Sequence, residues 1–201
     1  RALASYLKAN GVAVRLISLP DPLGDALTDC PERYPAAVME QTAALCADCD
    51  LVGVSLMTNY VDNAAQITRA VKAKTGVPVL WGGVHPTIRP EECLELADLV
   101  CVGDGEEAIL DVVRAIESGG DLTTIANIQA RRTDGTMARN AVRPLTQNLD
   151  ALPAPDWSHE DHHIWDSQNP LAGVVPLTPA ATEAILARGT VSLLLGKIGY
   201  Q

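Results

Sequence analysis

The most informative stretch of this chain is VPVLWGGVHPT, which spans residues 77–87. Its first five residues, 77–81, form a short apolar run without polar alternation, which is typical of a strand buried on both faces of a parallel sheet. Gly82 and Gly83 then end the run. Glycines at the carboxyl end of such a strand let the backbone approach a ligand closely, and they equally suit a tight strand-to-helix turn without a ligand.

A strict alternation of strands and helices surrounds this stretch. Short apolar runs predict the strands, and segments with helical periodicity predict the helices between them. The connections are short, which implies parallel strands with helices on both faces, and therefore an α/β protein with a doubly wound parallel sheet. The predicted strands are residues 12–19, 50–57, 77–81 and 99–102, and the predicted helices are residues 36–47, 61–75, 90–97 and 106–118.

The composition restricts the partners of the chain. Its 201 residues carry a formal net charge of −10, and 47% are hydrophobic, yet phenylalanine is absent and aromatic residues make up only 3%. An acidic chain repels phosphate backbones and anionic membrane surfaces, and few aromatic residues leave few platforms for stacking bases. A continuous apolar run of about 18 residues, which a membrane span needs, does not occur. We therefore expect neither a nucleic acid nor a membrane as a partner.

The five cysteines show no disulfide framework, which favours reduced thiols and a cytoplasmic protein. The first residues lack the sustained apolar core of a signal peptide. Cys46 and Cys49 form a C-x-x-C pair, but one pair cannot complete a zinc site, and a thioredoxin-like pair would lie at the start of a helix. Because this pair lies at the end of a predicted helix, we interpret both residues as ordinary thiols.

The alternation ends after residue 120, and two further regions follow. Residues 125–132 and 136–142 flank Asp134-Gly135, which is a strong signal for a β-hairpin. From residue 149 the sequence becomes rich in proline and charge and has no period, which predicts an extended linker that leads away from the core.

Three predicted strands end in loops of small and polar residues. Because the carboxyl ends of parallel strands share one edge of a sheet, we expect these loops to converge there. Their hydroxyl groups and glycine amides could bind a large, flat ligand with a polar rim, and the helix N-termini beyond them would favour a phosphate. The predicted binding residues are Ser55, Leu56, Met57, Thr58 and Asn59, then Gly82, Gly83, Val84, His85, Pro86 and Thr87, and finally Gly103, Asp104, Gly105 and Glu106.

These motifs also resemble a known family. Taken together, LVGVSLMTN, VPVLWGGVHPTIRPEE and DLVCVGDGEEAILDVV resemble the N-terminal cobalamin-binding domain of cobalamin-dependent radical SAM enzymes. The later RPLTQNLDALPAPDW looks like the segment that joins this domain to the radical SAM barrel. The resemblance covers residues 3–157, and the spacing of WGGVHPT and VGDGEE makes it fairly specific.

The resemblance implies a Rossmann-like (flavodoxin-like) five-stranded parallel sheet with the corrin ring of cobalamin over its carboxyl edge. Residues 55–59 would line the nucleotide tail, residues 82–87 would lie near the tail and the lower face of the corrin, and residues 103–107 would close the far side. The full-length parent would be a methyltransferase or a related radical enzyme. Its barrel, in the same chain, would hold an iron–sulfur cluster and S-adenosylmethionine.

Two features depart from the family pattern. Many cobalamin-binding folds coordinate cobalt through a D-x-H-x-x-G motif, which residues 161–166, DHHIWD, match only in part and within the predicted linker. We therefore predict cobalamin without a protein histidine on cobalt and interpret His85 as a residue that structures its loop or contacts the tail. The cluster motif C-x-x-x-C-x-x-C is also missing, since Thr190 follows Arg188-Gly189 and no cysteine follows Cys101.

Because the cluster motif is missing, we expect that the chain alone is not catalytic. We predict a cobalamin-binding domain at residues 1–120, a β-hairpin extension at 121–148, and a linker with the truncated start of a radical SAM domain at 149–201. Family members also begin with a strand ahead of the first helix, so we interpret the chain as a fragment without that strand. Residues 191–195 are a second candidate for the vacant position in the sheet.

Other interpretations remain open from the residues alone. A cofactor-free flavodoxin-like domain could act as a regulatory or protein-interaction module, and a nucleotide-binding enzyme is disfavoured because G-x-G-x-x-G is absent. The acidic group of Asp104, Glu106 and Glu107 could form a metal or acid–base site. We expect instead that Asp104 caps the following helix and that the glutamates favour its N-terminus.

Overall fold

The computed structural model describes residues 1–20, 34–166 and 173–187. These residues form eight strands and seven α-helices, joined by loops and single turns of 3-10 helix. The strands are β1 Leu16–Ser18, β2 Val52–Ser55, β3 Val79–Gly82, β4 Leu99–Cys101, β5 Ile128–Arg131, β6 Met137–Arg139, β7 His162–Trp165 and β8 Val174–Pro176. The helices are α1 Ala2–Ala9, α2 Ala36–Leu45, α3 Val61–Thr75, α4 Val84–Ile88, α5 Pro90–Cys93, α6 Glu106–Ser118 and α7 Pro179–Ala187.

The larger of two sheets has five strands in the order β2-β3-β4-β5-β6. Strands β2, β3 and β4 run parallel, which confirms the predicted α/β class with a parallel sheet. The β5–β6 hairpin turns at Asp134-Gly135, as predicted, with Gly135 in the left-handed conformation at φ 83°. This hairpin also pairs with β4 in antiparallel fashion, so it continues the sheet as its last two strands.

Strand β3 lies inside the sheet, and its side chains alternate between two cores. Val79 and Trp81 pack with α3 and α5 on one face, whereas Leu80 packs with α6 on the other. None of these three residues is more than 1% exposed, which confirms the prediction of a strand buried on both faces. The indole N–H of Trp81 donates to the Thr68 hydroxyl at 2.8 Å, so its one polar group is paired inside the core.

The two long helices have the predicted bounds. Helices α3 and α6 end at Gly76 and Gly119, which adopt the left-handed conformation at φ 69° and 66°. Glycine terminates a helix in this way because it has no Cβ to oppose a positive φ. The helix predicted over residues 90–97 is shorter, since α5 ends at Cys93. Among the residues that the structure describes, none of the helices has both the length and the apolarity that crossing a bilayer requires.

The second sheet differs from the extended linker predicted from residue 149 onward. Strand β7 pairs in parallel with β1 and antiparallel with β8, so the chain returns to the core. Trp165 at the end of β7 is 1% exposed and packs edge-on against Tyr34, with ring centroids 5.7 Å apart. Strand β1 was expected within the main parallel sheet, but it pairs with β7 in the second sheet instead. Residues 191–195, the second candidate for the vacant position, lie outside the described residues.

Polar side chains fasten the segment before β7 to helix α1. The ammonium group of Lys8 lies 2.8 Å from the Asp156 carboxylate, and His162 Nε2 lies 3.3 Å from the same oxygen. The Ser5 hydroxyl donates to the carbonyl of Ala154 at 2.6 Å. Burial lowers the pKa of His162, and the nearby Asp156 only partly opposes this effect. Burial therefore disfavours the protonated form of His162.

This burial predicts a pH-dependent stability. Because the pKa of His162 is lower in the folded chain, protonation favours the unfolded chain; the stabilising contribution is complete above the unfolded pKa of about 6.5 and is lost as the pH falls below it. We expect urea denaturation to show a lower free energy of unfolding at about pH 5 than at about pH 7. His162→Gln should weaken this dependence, whereas His159→Gln, at an exposed position, should retain it. Equal pH dependence in wild type and H162Q would contradict the assignment.

Candidate functional site

The loops that follow β2, β3 and β4 meet at the carboxyl edge of the main sheet and are bonded to one another. The amide of Leu56 donates to the carbonyl of Gly82 at 3.0 Å. The Thr87 hydroxyl donates to the Gly83 carbonyl at 2.8 Å and accepts from the Gly103 amide at 3.1 Å. These bonds join the three loops into one surface, which we call the carboxyl edge (residues 55–59, 82–88 and 103–106).

Gly83 lies directly against the backbone of the neighbouring loop. Its φ is 103°, and a Cβ atom there would lie 2.7 Å from the carbonyl oxygen of Leu56. A side chain at this position would clash with the backbone of the neighbouring loop. The fold itself therefore requires glycine here, whether or not a ligand binds. The preceding Gly82 is different, because its nearest neighbour would be Cys101 Cβ at an ordinary 3.7 Å.

Three of the predicted binding residues are buried under the carboxyl edge, namely Leu56, His85 and Pro86. His85 is 4% exposed, with Nδ1 at 3.3 Å from the Thr58 hydroxyl and Nε2 at 3.9 Å from the Glu92 carboxylate. Neither ring nitrogen faces solvent. This geometry favours the loop-structuring role of His85 over coordination of a bound metal.

The loop after β4 is held differently from the sequence prediction. The residue that caps α6 is Gly105, and no side chain accepts a hydrogen bond from this helix end, so the prediction that Asp104 caps the helix is wrong. Glu106 and Glu107 do occupy the first turn of α6, as predicted, and Asp62 occupies the first turn of α3. Carboxylates at both helix N-termini offset the positive ends of the helices, which disfavours the phosphate contacts expected there.

The outer surface of the carboxyl edge combines apolar side chains with small polar ones. Met57, Val84 and Ile88 are exposed by 45%, 60% and 62%, respectively. Val84 and Ile88 are four residues apart on α4 and therefore share one face of that helix. Ser55, Thr58 and Asn59 are exposed beside them. Such a surface suits a flat ligand with an apolar face and a hydrogen-bonding rim.

One residue outside the predicted set also reaches this edge. Asn127, just before β5, is 1% exposed and its side-chain amide donates to the carbonyl of Val102 at 2.7 Å. Its φ is 70°, a conformation that asparagine tolerates better than most residues. The sequence offered only an asparagine within a predicted hairpin segment, residues 125–132, which is too common to indicate a site by itself.

The cysteines that the structure describes are not paired in disulfides. Cys46, Cys49, Cys93 and Cys101 are free thiols, and burial raises the pKa of Cys46, Cys93 and Cys101 to about 11. The C-x-x-C pair lies at the end of α2, as predicted, rather than at a helix start. Within the described ranges, no group of three or more histidine, cysteine, aspartate or glutamate side chains could hold a metal ion.

Comparison with known proteins assigns the family. The sequence model of the B12 binding domain matches residues 1–113, which is more than half of the chain. The chain belongs to the B12-binding domain family. This assignment confirms the resemblance found in the sequence, and it supports cobalamin as the cofactor over the cofactor-free alternative.

Relatives and solved structures agree with this family. An uncharacterized methyltransferase of Pyrococcus horikoshii is 31% identical over 115 residues, covering 55% of this chain and 25% of that protein. The anaerobic magnesium-protoporphyrin IX monomethyl ester cyclase of Rubrivivax gelatinosus is 25% identical over 162 residues, covering 77% of this chain and 27% of that protein. Each match therefore spans about a quarter of the relative's own length.

The fold is shared with the cobalamin-dependent S-adenosylmethionine radical enzyme OxsB. The structure of its apo form superposes with a TM-score of 0.58 at 20% identity, covering 77% of this chain and 20% of that one. Its structure with aqua-cobalamin bound superposes with a TM-score of 0.53 at 18% identity, covering 72% of this chain and 19% of that one. The likeness confirms the predicted Rossmann-like fold class.

The two adjacent glycines after β3 provide a test of the loop geometry. We expect Gly83→Ala to destabilise the chain by about 1–3 kcal/mol without any ligand, because the positive φ and the Leu56 carbonyl both oppose a side chain. Gly82→Ala should cost about 1 kcal/mol or less, since its Cβ would make only ordinary contact. Urea denaturation of both variants measures the difference, and equal stabilities would contradict this placement of the loop.

Proposed function

We propose that this chain binds cobalamin on the carboxyl edge. The observation that carries the proposal is the bonding of three loops into one surface that exposes Met57, Val84 and Ile88 among small polar residues, in a chain of the B12-binding domain family. The residues proposed to form the site are Ser55, Leu56, Met57, Thr58 and Asn59, with Gly82, Gly83, Val84, His85, Pro86 and Thr87, and with Gly103, Asp104, Gly105 and Glu106.

The residues present fit such a cofactor. The apolar side chains of Val84 and Ile88 would pack on the flat face of the corrin ring, and exposed hydroxyl and amide groups would bind its carboxamide rim. Leu56, His85 and Pro86 would support the binding surface from beneath, because they are buried and maintain the shape of the loops. Cobalt would receive no histidine from this surface, since both ring nitrogens of His85 are turned into the protein.

We further propose that the chain is the cofactor module of a cobalamin-dependent radical SAM enzyme. Bound cobalamin would supply a cobalt centre for methyl transfer or for a radical reaction. The matching relatives are about four times longer than the matched region, which leaves room for a radical SAM barrel in the same chain that holds an iron–sulfur cluster and S-adenosylmethionine. A methyltransferase or a related radical enzyme is the proposed parent, and its proposed compartment is the cytoplasm, where free thiols such as those of Cys46 and Cys101 persist.

A pair of charge substitutions tests where cobalamin binds. Val84→Glu places a carboxylate on the exposed apolar surface and should lower the affinity for hydroxocobalamin at least about tenfold, because one buried valine contributes on the order of 1.5 kcal/mol. Ala73→Glu adds the same charge at an exposed position near the end of α3, which lies at the opposite edge of the sheet. This control should bind as tightly as the wild type.

The readout is the visible absorption of cobalamin retained by the folded chain during titration and desalting. Circular dichroism checks that both variants remain folded. Equal affinities of V84E and A73E would place the ligand elsewhere on the molecule, and a folded wild-type chain that retains no cobalamin would refute the proposed function.

A further inference from the structure

Asn127 connects the β5–β6 hairpin to the end of strand β4. It precedes β5, its side chain is enclosed, and only 1% of its surface is exposed. Its backbone carbonyl accepts from the amide of Val102 at 2.8 Å, and its side-chain Nδ2 donates to the carbonyl of the same residue at 2.7 Å. Both backbone polar groups of Val102 are therefore held by one residue.

A second set of bonds holds Asn127 itself in place. Its Oδ1 accepts from the backbone amide of Arg143 at 3.1 Å and from the guanidinium of the same residue at 3.2 Å. The Arg143 guanidinium also donates to the carbonyl of Ala126 at 2.6 Å and pairs with Asp111 on α6. The Asn127 side chain is thus anchored on its acceptor side and holds Val102 on its donor side.

The residue after Val102 is Gly103, the first residue of the third loop of the carboxyl edge. Gly103 has a φ of 82°, and a Cβ on it would lie 3.3 Å from Asn127 Nδ2 and 3.2 Å from Val142 Cγ1. Its amide donates to Thr87, which links this loop to the loop after β3. Fixing Val102 and enclosing Gly103 from behind therefore fixes the spacing of two loops on the carboxyl edge.

We propose that Asn127 is a positioning residue for the cofactor site. The hairpin, expected from the sequence to be an extension, acts as the support of the third loop, and it does so through the amide side chain of Asn127. Without this side chain the Gly103 loop loses the donor that holds the Val102 carbonyl, and the surface offered to the corrin loses its shape. This inference rests on the proposed function, because the positioned surface is the one assigned to cobalamin.

Asn140 provides a matched control in the same hairpin. Its side-chain Nδ2 lies 2.8–2.9 Å from three backbone carbonyl oxygens, those of Thr123, Ile125 and Ile128, which share its two N–H groups. Removing it disturbs the base of the hairpin, whereas none of these three carbonyls belongs to the loop after β4. A loss of cobalamin affinity that follows from general weakening of the hairpin would appear in both asparagine variants.

The experiment compares wild type, Asn127→Gly, Asn127→Ala and Asn140→Ala. Glycine keeps the φ of 70° without strain, so Asn127→Gly removes the hydrogen bonds of the side chain alone. We expect it to lower the affinity for hydroxocobalamin about tenfold or more and to speed hydrogen exchange at the Gly103 amide. Asn140→Ala should lower the thermal midpoint about as much as Asn127→Gly does. It should leave the affinity for hydroxocobalamin and the exchange rate of the Gly103 amide unchanged.

Each outcome decides the inference. Wild-type affinity and wild-type exchange at Gly103 in N127G would overturn it, as would an equal loss of affinity in N140A. If N127A does not fold, N127G alone is compared with the wild type. Arg143→Ala removes the guanidinium that donates to Asn127 Oδ1, so exchange of the Gly103 amide in this variant tests the same support. If the wild type and N127G bind cobalamin equally well, this inference alone is refuted. If the folded wild type does not bind cobalamin, the proposed function is refuted and this inference with it.

Discussion

The contact between Gly83 and the carbonyl oxygen of Leu56 governs the shape of the carboxyl edge. A Cβ at Gly83 would lie 2.7 Å from that oxygen, so only glycine lets the loop after β3 approach the loop after β2. The amide of Leu56 then reaches the Gly82 carbonyl, and α4 starts at Val84 immediately beyond. The position of Val84 and Ile88 on the outer surface follows from this approach, and so does the burial of His85 beneath it.

The rest of the edge is supported from the side of the hairpin. Thr87 joins the second loop to the third by accepting from the Gly103 amide, and Asn127 holds the strand end that leads into Gly103. Two neighbouring strand ends and a hairpin thus share one hydrogen-bonded frame. A rigid frame of this kind lowers the conformational entropy lost when a large cofactor binds, because the loops are ordered before the ligand arrives.

Much of the fold was predictable because local signals and tertiary structure agree in the centre of the chain. The left-handed glycines Gly76 and Gly119 mark the ends of α3 and α6, and the apolar run ending at Trp81 marks the buried strand. The convergence of the three loops was predictable for a topological reason, since parallel strands bring their carboxyl ends to one edge.

The errors occur where long-range contacts outweigh local pattern. Strand β7 follows a proline-rich stretch, and its pairing with β1 and β8 and the packing of Trp165 on α2 make it a strand. The support by Asn127 depends on residues 25 positions away along the chain, which no local pattern reports. Asp104 has a residue type typical of a helix cap, yet the loop geometry puts Gly105 at the capping position.

Hydrogen exchange with and without hydroxocobalamin locates the ligand without any substitution. If cobalamin binds on the carboxyl edge, amide exchange in residues 55–59, 82–88 and 103–106 becomes slower when it is added. Exchange in the turn at residues 132–136 and in the last turn of α3 should be unchanged, since both lie away from the carboxyl edge. Protection confined to those distant segments, or to helix α2 (Ala36–Leu45), would show that cobalamin does not bind on the carboxyl edge.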